Sequence, residues 1–212
     1  MKLVILAAGE GTRTKKLFPH TPKPLIPVNG RPVIEHIIDQ FRDFEILVNV
    51  RAKDADRFRC LNLPLLLEAK PLGNAGAIKH FSKDLGRRFL AVHTDTYSDL
   101  NPKKLVESHR GYATMVVKDL SKPKELGVVT YENRLITGFT RKRFINCGIY
   151  SFTSDMLDYI GKGFQDLDND VFPALIKDKK LYLYEHKGLW EDIGREEYWL
   201  DLTKIRVSGN LK

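Results

Sequence analysis

Apolar residues fall along the chain in two rhythms. β-branched runs of strand length alternate with stretches whose apolar positions recur at helical spacing. Residues 2–7 form the first run, stopped by Gly9. Runs at 45–50, 63–67 and 89–93 predict three further buried strands. Between the first two, Val33, Ile34, Ile37, Ile38, Phe41 and Phe44 line one face of a helix expected over 31–44, with Pro32 in its first turn. A second helix is expected over 75–85. A third begins at Asn101-Pro102, where Asn serves as cap and Pro takes the first helical position. The second half changes character. Strands at 113–118, 127–131, 135–139 and 145–152 follow closely, with a hairpin turn at 131–134. Short helices at 154–160 and 169–177, a strand at 181–185 and a final helix at 195–206 complete the pattern.

Alternation followed by a strand-rich part implies an α/β fold. The expected architecture is a doubly wound, mostly parallel mixed sheet of Rossmann-like kind, with a small antiparallel excursion in the second half. Ligands of such sheets bind at the carboxyl ends of the strands, near a switch in strand order. The 212 residues carry no internal repeat and no low-complexity linker, and are expected to form a single domain.

The formal charge of +8 is dispersed along the chain. It favours anionic partners, and it also fits an ordinary solvated surface. The two cysteines, Cys60 and Cys147, stand far apart, which excludes a zinc ribbon or a disulfide framework and suits the cytoplasm. No run approaches the roughly 18 apolar residues of a membrane span, and the first run is too short for a signal peptide, so no membrane partner is expected. No RRM, KH or helix-turn-helix pattern and no basic–aromatic interleaving points to nucleic acid.

The chemistry concentrates after the first strand. In Leu6-Ala7-Ala8-Gly9-Glu10-Gly11-Thr12-Arg13, two glycines let the backbone turn sharply and bring N–H groups near an anion, and Arg13 can fork onto phosphate oxygens. In Pro22-Lys23-Pro24, two prolines restrict the backbone around a cation. Walker A is absent, and Thr14 breaks the dinucleotide fingerprint. The glycines alone would also fit a plain turn after a strand. Asp95 follows the apolar run 89–92, at the end of a strand where ligands bind, although Asp also suits a cap or turn. Asp192 lies in the short segment 190–194 and is likewise open to a turn role. His93 shares a strand face with Asp95, but no further zinc ligands are evident, so it reads as a packing or hydrogen-bonding group.

The first octapeptide, followed after eight residues by Pro22-Lys23-Pro24-Leu25, resembles the signature of the sugar-phosphate nucleotidyltransferases, or NDP-sugar pyrophosphorylases. The resemblance continues in order through Pro27-Val28, Gly30-Arg31-Pro32, Ile34-Glu35, Glu68, 71–77, Thr94-Asp95, 145–150 and 190–194. It implies the family's nucleotidyltransferase fold and the reaction of a nucleoside triphosphate with a sugar 1-phosphate to give NDP-sugar and pyrophosphate. It implies catalytic roles for Arg13 and Lys23, and nucleotide binding by residues 6–12 and Gly73. Asp95 and Asp192 are implied to hold Mg²⁺. Gly127, Lys142, Asn146 and Gly148 are implied to bind the sugar phosphate. Residues 1–110 would be mainly nucleotide-binding and 111–212 mainly sugar-phosphate-binding. Where the family often reads Phe-x-Glu-Lys, this chain reads Phe139-Thr140-Arg141-Lys142, so Arg141 stands in place of a glutamate. The basic run 141–143 also fits an exposed turn.

Pro71-Leu72-Gly73-Asn74-Ala75-Gly76-Ala77 is similar to the PLGTAGA segment common in mannose-1-phosphate guanylyltransferases, with Asn74 for threonine. That favours GTP with mannose 1-phosphate or a related sugar phosphate. Uridylyl-, cytidylyl- and thymidylyltransferases are the alternatives, with a non-catalytic nucleotide-sensing or scaffold module of the same fold as the rival from another class. Many relatives carry a C-terminal left-handed β-helix. The chain is expected to end before one, so a homodimer would form through the catalytic domain.

Overall fold

The computed structural model of the chain describes residues 1–12, 14–16, 18–119, 128–140 and 144–194. Arg13, Gly127, Arg141, Lys142 and the helix expected at 195–206 lie outside the described residues. The first half gives β1 (Lys2–Leu6), β2 (Pro27–Val28), β3 (Arg31–Pro32), α1 (Val33–Gln40), β4 (Glu45–Arg51), β5 (Leu65–Glu68), α2 (Gly73–His80), α3 (Ser82–Leu85), β6 (Arg88–His93), β7 (Thr96–Ser98) and α4 (Pro102–Glu107). The second half gives β8 (Ala113–Asp119), β9 (Val128–Glu132), β10 (Leu135–Thr140), β11 (Phe144–Thr153), α5 (Phe172–Lys177), β12 (Leu181–Glu185) and β13 (Trp190–Asp192).

Nine strands form one mixed sheet in the order β5-β4-β1-β6-β11-β8-β12-β10-β9. The pairings set seven strands in one direction and two, β11 and β10, against it. The strand-rich second half therefore joins the main sheet. Alternation along each strand fills two cores. Leu3 and Ile5 of β1 and Leu90 and Val92 of β6 pack with α1 and α4 on one face. Val4, Leu6, Phe89 and Ala91 pack with α2 and α5 on the other. Continuous apolar runs were needed because both faces are covered. Among the described residues, no helix is long and apolar enough to cross a membrane.

Local chemistry explains most element ends. Asn101 caps α4 by accepting from the Lys103 amide at 3.0 Å. The β9–β10 turn places Asn133 and Arg134 at φ of 47° and 69°, the pair of positive values that matches strand twist in a tight hairpin. Other elements differ from expectation. The helix expected over 31–44 begins at Val33, because Arg31–Pro32 pairs with Pro27–Val28, and ends at Gln40. The helix expected over 75–85 breaks at Phe81 into α2 and α3. A π turn, Leu167–Val171, precedes α5.

Candidate active site

The chain runs from β1 outward to β4 and β5, then returns to β6 on the other side of β1. Strand order thus switches between β1 and β6, and their carboxyl ends open a crevice. Leu6 and His93 are paired across that end. A cavity of about 470 Å³ lies here. Leu6, Ala8, Gly9, Glu10, Gly11 and Gly73, all expected to bind nucleotide, line it together with Lys23 and Asp95. Ala7 and Thr12 do not line it. Ala7 is buried and donates its N–H to the Asn49 carbonyl at 2.8 Å. It therefore supports the loop's backbone while leaving no N–H for an anion.

Gly11 joins the two sequence motifs. At φ of +60°, it turns the loop, and its carbonyl accepts from the Thr14 and Lys15 amides. A Cβ there would lie 3.2 Å from the Lys23 Cβ, so the glycine lets the loop pack against the Pro22-Lys23-Pro24 turn. Lys23, its side chain 14% exposed, donates to Asp95 Oδ2 at 2.8 Å. One of its three N–H donors is thereby engaged, and the others have no partner among the described residues. Burial by itself would raise the Asp95 carboxyl. The charge of Lys23, aided by His93 and by the Lys23 hydrogen bond, instead holds it down to about 2. Asp95 is therefore a carboxylate across the physiological range.

Asp95 and Asp192 meet through a second, two-stranded sheet. β7 pairs antiparallel with β13, with Thr96 opposite Asp192, and the Ile193 amide donates to the Asp95 carbonyl at 2.9 Å. The next residue, Gly194, closes the cluster. A Cβ on it would stand 2.9 Å from Lys23 Nζ, 3.0 Å from Asp192 Oδ1 and 3.3 Å from Asp95 Cβ. The donor set fits Mg²⁺ held jointly with phosphate oxygens, since that ion takes one or two carboxylates and completes its shell with phosphate and water. Among the described residues, no group of three or more His, Cys, Asp or Glu could hold a metal ion by itself.

A second cavity, of about 430 Å³, shares His93 and Asp95 with the first and is also lined by Asn146, Gly148 and Asp192. Its floor is a bulge in β11, where the register against β8 shifts between Asn146 and Tyr150. Gly148 at φ of +70° makes the bulge. The Cys147 carbonyl is turned to accept from Thr96 Oγ1 at 2.7 Å and from the Trp190 indole at 3.0 Å. A Cβ on Gly148 would meet Thr96 Oγ1 at 3.0 Å and His93 Cβ at 3.2 Å. Gly148→Ala is expected to lower stability by about 1–3 kcal/mol. Thermal denaturation checks this, and an unchanged Tm would contradict the steric role given to the glycine.

Several wall residues make contacts that the sequence alone does not show. Asn74 does not face the cavity freely: its Oδ1 accepts from the Leu167 amide at 2.7 Å, and its Nδ2 lies 3.4 Å from His93 Nε2. Gly73, at φ of +73°, has the Gln165 carbonyl packed where a Cβ would stand, so its glycine character is required by loop contact. That loop brings Phe164, 64% exposed, and Asp166 to the first cavity. Buried Glu68 accepts from the Leu72 amide, and its carboxyl is raised by burial, against the pull of Asn49, Leu72 and His80. Tyr150, in the second cavity, has its hydroxyl pushed well up by burial. These residues arrive from distant segments, and only the sheet brings them together.

Comparison with known proteins agrees with this fold. A mannose-1-phosphate guanyltransferase of Gibberella zeae is 28% identical over 239 residues, covering 100% of this chain and 66% of that protein. A mannose-1-phosphate guanyltransferase 2 of Candida glabrata is 30% identical, covering 97% and 64%. The chain thus spans somewhat less than two thirds of these relatives' length. The crystal structure of HddC from Yersinia pseudotuberculosis complexed with GMP-PN superposes with a TM-score of 0.79 at 23% identity, covering 96% of this chain and 99% of that one. The inositol-1-phosphate CTP transferase of T. maritima has the same fold, with a TM-score of 0.78 at 14% identity over 97% and 96% of the two chains. A family model for nucleotidyl transferases matches residues 2–206, and the chain belongs to that family.

Proposed function

We propose that the chain is a sugar-1-phosphate nucleotidyltransferase, joining a nucleoside triphosphate to a sugar 1-phosphate with release of pyrophosphate. The observation that carries this reading is Asp95, which lines both cavities and is paired with Lys23 of the first. One cavity is floored by a glycine loop suited to phosphates and the other by the β11 bulge at Gly148, where backbone can come close to a ligand. A sugar-phosphate oxygen from the second cavity attacks the α-phosphorus in line. The bond between the α-phosphorus and the bridging oxygen breaks, and pyrophosphate leaves with that electron pair. The nucleophile is already an anion, so no general base is required. The work of the chain is to orient two polyanions and offset their charge.

Lys23 offsets negative charge developing at the α-phosphate. Arg13 is assigned to the β- and γ-phosphates, and Lys142 to the incoming phosphate. Asp95 and Asp192 would hold Mg²⁺, which when bound supplies charge neutralisation at the phosphates. The +8 formal charge suits two polyanionic substrates. GTP with mannose 1-phosphate is the preferred pair, supported by the Gly73-to-Ala77 segment and by the names of the relatives.

The test is a pyrophosphate-release screen with Mg²⁺, crossing ATP, GTP, CTP, UTP and dTTP with a panel of sugar 1-phosphates. Release that requires one triphosphate and one sugar phosphate together supports the reading and names the substrates. Silence across the panel from a folded chain that still binds triphosphate would favour the nucleotide-sensing module.

A further inference from the structure

We propose that the Asp168 carboxylate reads a hydroxyl of the sugar, with Asn146 acting behind it as a positioning residue. The proposal deepens, and rests on, the transferase reading of the two cavities. It starts from what Asn146 has left to offer. Its amide donates to Tyr150 Oη at 2.9 Å and to Asp168 Oδ1 at 3.0 Å, which engages both hydrogens. Its Oδ1 accepts from the Gly148 amide at 2.9 Å. The residue expected to touch sugar thus lines the cavity with its donors and its acceptor already engaged, and its Asp168 partner lines the cavity beside it.

The carboxylates around Asp168 are engaged elsewhere. Asp166 Oδ1 caps the π turn, accepting from the Asp168 and Asn169 amides at 3.0 and 3.1 Å. Asp170 Oδ2 accepts from the Asp166 amide at 2.7 Å. Asp168 makes no such backbone bond with its side chain. It is exposed, and among the described residues its Oδ2 has no hydrogen-bond partner and it has no ion pair. The π turn sets it on the cavity side, an irregularity of the kind often found at functional sites.

An ionised carboxylate only accepts hydrogen bonds, so it selects O–H donors and repels phosphate. Asp95 in the same cavity is paired with Lys23 of the neighbouring one, whereas Asp168 has no ion pair among the described residues, so the two carboxylates differ in character. The phosphate belongs beside Lys23 and the hydroxyl-bearing ring beside Asp168.

The experiment measures binding of α-mannose 1-phosphate and its four monodeoxy analogues by calorimetry. It uses wild type and Asp168→Asn, with Mg²⁺ and a non-hydrolysable GTP analogue present. One analogue is expected to bind wild type about tenfold or more weakly than the parent, the loss for a hydrogen bond to a charged group. In Asp168→Asn the parent should fall to that level, its advantage over that analogue should vanish, and affinity for the GTP analogue and Tm should hold. The same parent-to-analogue ratios in both proteins, or equal weakening of all five ligands, would overturn the proposal. Wild type that binds both ligands yet releases no pyrophosphate with GTP would sink the transferase reading and leave the Asp168 contact standing. Wild type that binds no mannose 1-phosphate would overturn the contact.

Discussion

Lys23→Ala is expected to lower turnover by about two to three orders of magnitude, the usual loss when one preorganised electrostatic partner of a transition state is removed. Its side chain is packed against Gly11 and held by Asp95, so little reorganisation is needed when charge shifts on the α-phosphate. The substitution also changes how stability depends on pH. The Asp95 carboxyl, held at about 2 by Lys23, stabilises the fold above its unfolded value of about 3.9. That contribution is lost as pH falls through this range toward the folded value. Without the ammonium, burial acts with less opposition and moves the carboxyl upward. Acid unfolding of Lys23→Ala should therefore begin at higher pH than in wild type. Near-normal turnover would remove Lys23 from the mechanism, and an unchanged acid limb would contradict the coupling to Asp95.

Asp95→Ala should reduce turnover by about a thousandfold, for a different reason. It removes the anchor of Lys23 and one of the two carboxylates assigned to Mg²⁺. The fold should persist, because the ladder beside it uses the Asp95 main-chain carbonyl, which accepts from the Ile193 amide. Circular dichroism should match wild type. The two variants should separate in a Mg²⁺ titration. The deficit of Asp95→Ala should shrink as Mg²⁺ is raised, since a weakened site fills by mass action. The deficit of Lys23→Ala should not. Parallel responses would mean that Asp95 serves only to hold the lysine.

The sequence carried the sheet and the nucleotide side further than the sugar side. β1, β4, β6, β8, β11 and β12 were legible because strands buried on both faces read as continuous apolar runs. The glycine loop and the Pro22-Lys23-Pro24 turn were legible because backbone chemistry there is local. β7 and β13 were not. Each has three residues, and their pairing is decided by a contact between Thr96 and Asp192 that no window of sequence contains. The same ladder joins Asp95 to Asp192, so those two aspartates could be matched to a family signature, while their spacing in the chain says nothing of their meeting. The π turn was not read: the helix expected over 169–177 takes in only its last three residues, and the interval from Leu167 to Val171 is one that a plain helix would also show. What the interval hides is which carboxylate caps the turn and which faces the cavity. Asn74 shows the same limit: its identity was plain, but its engagement with His93 and Leu167 belongs to the fold.

Phosphorus NMR of the reaction gives the most direct test of transfer between the two cavities. The chain would be incubated with Mg²⁺, GTP and mannose 1-phosphate, or with the pair that the release screen selects. The expected spectrum gains the two coupled resonances of a nucleoside diphosphate sugar and the single resonance of pyrophosphate, in equal amounts and only when both substrates are present. Nucleoside monophosphate in place of the diphosphate sugar, or pyrophosphate released without the sugar phosphate, would contradict transfer to a sugar phosphate held beside Lys23 and Asp95.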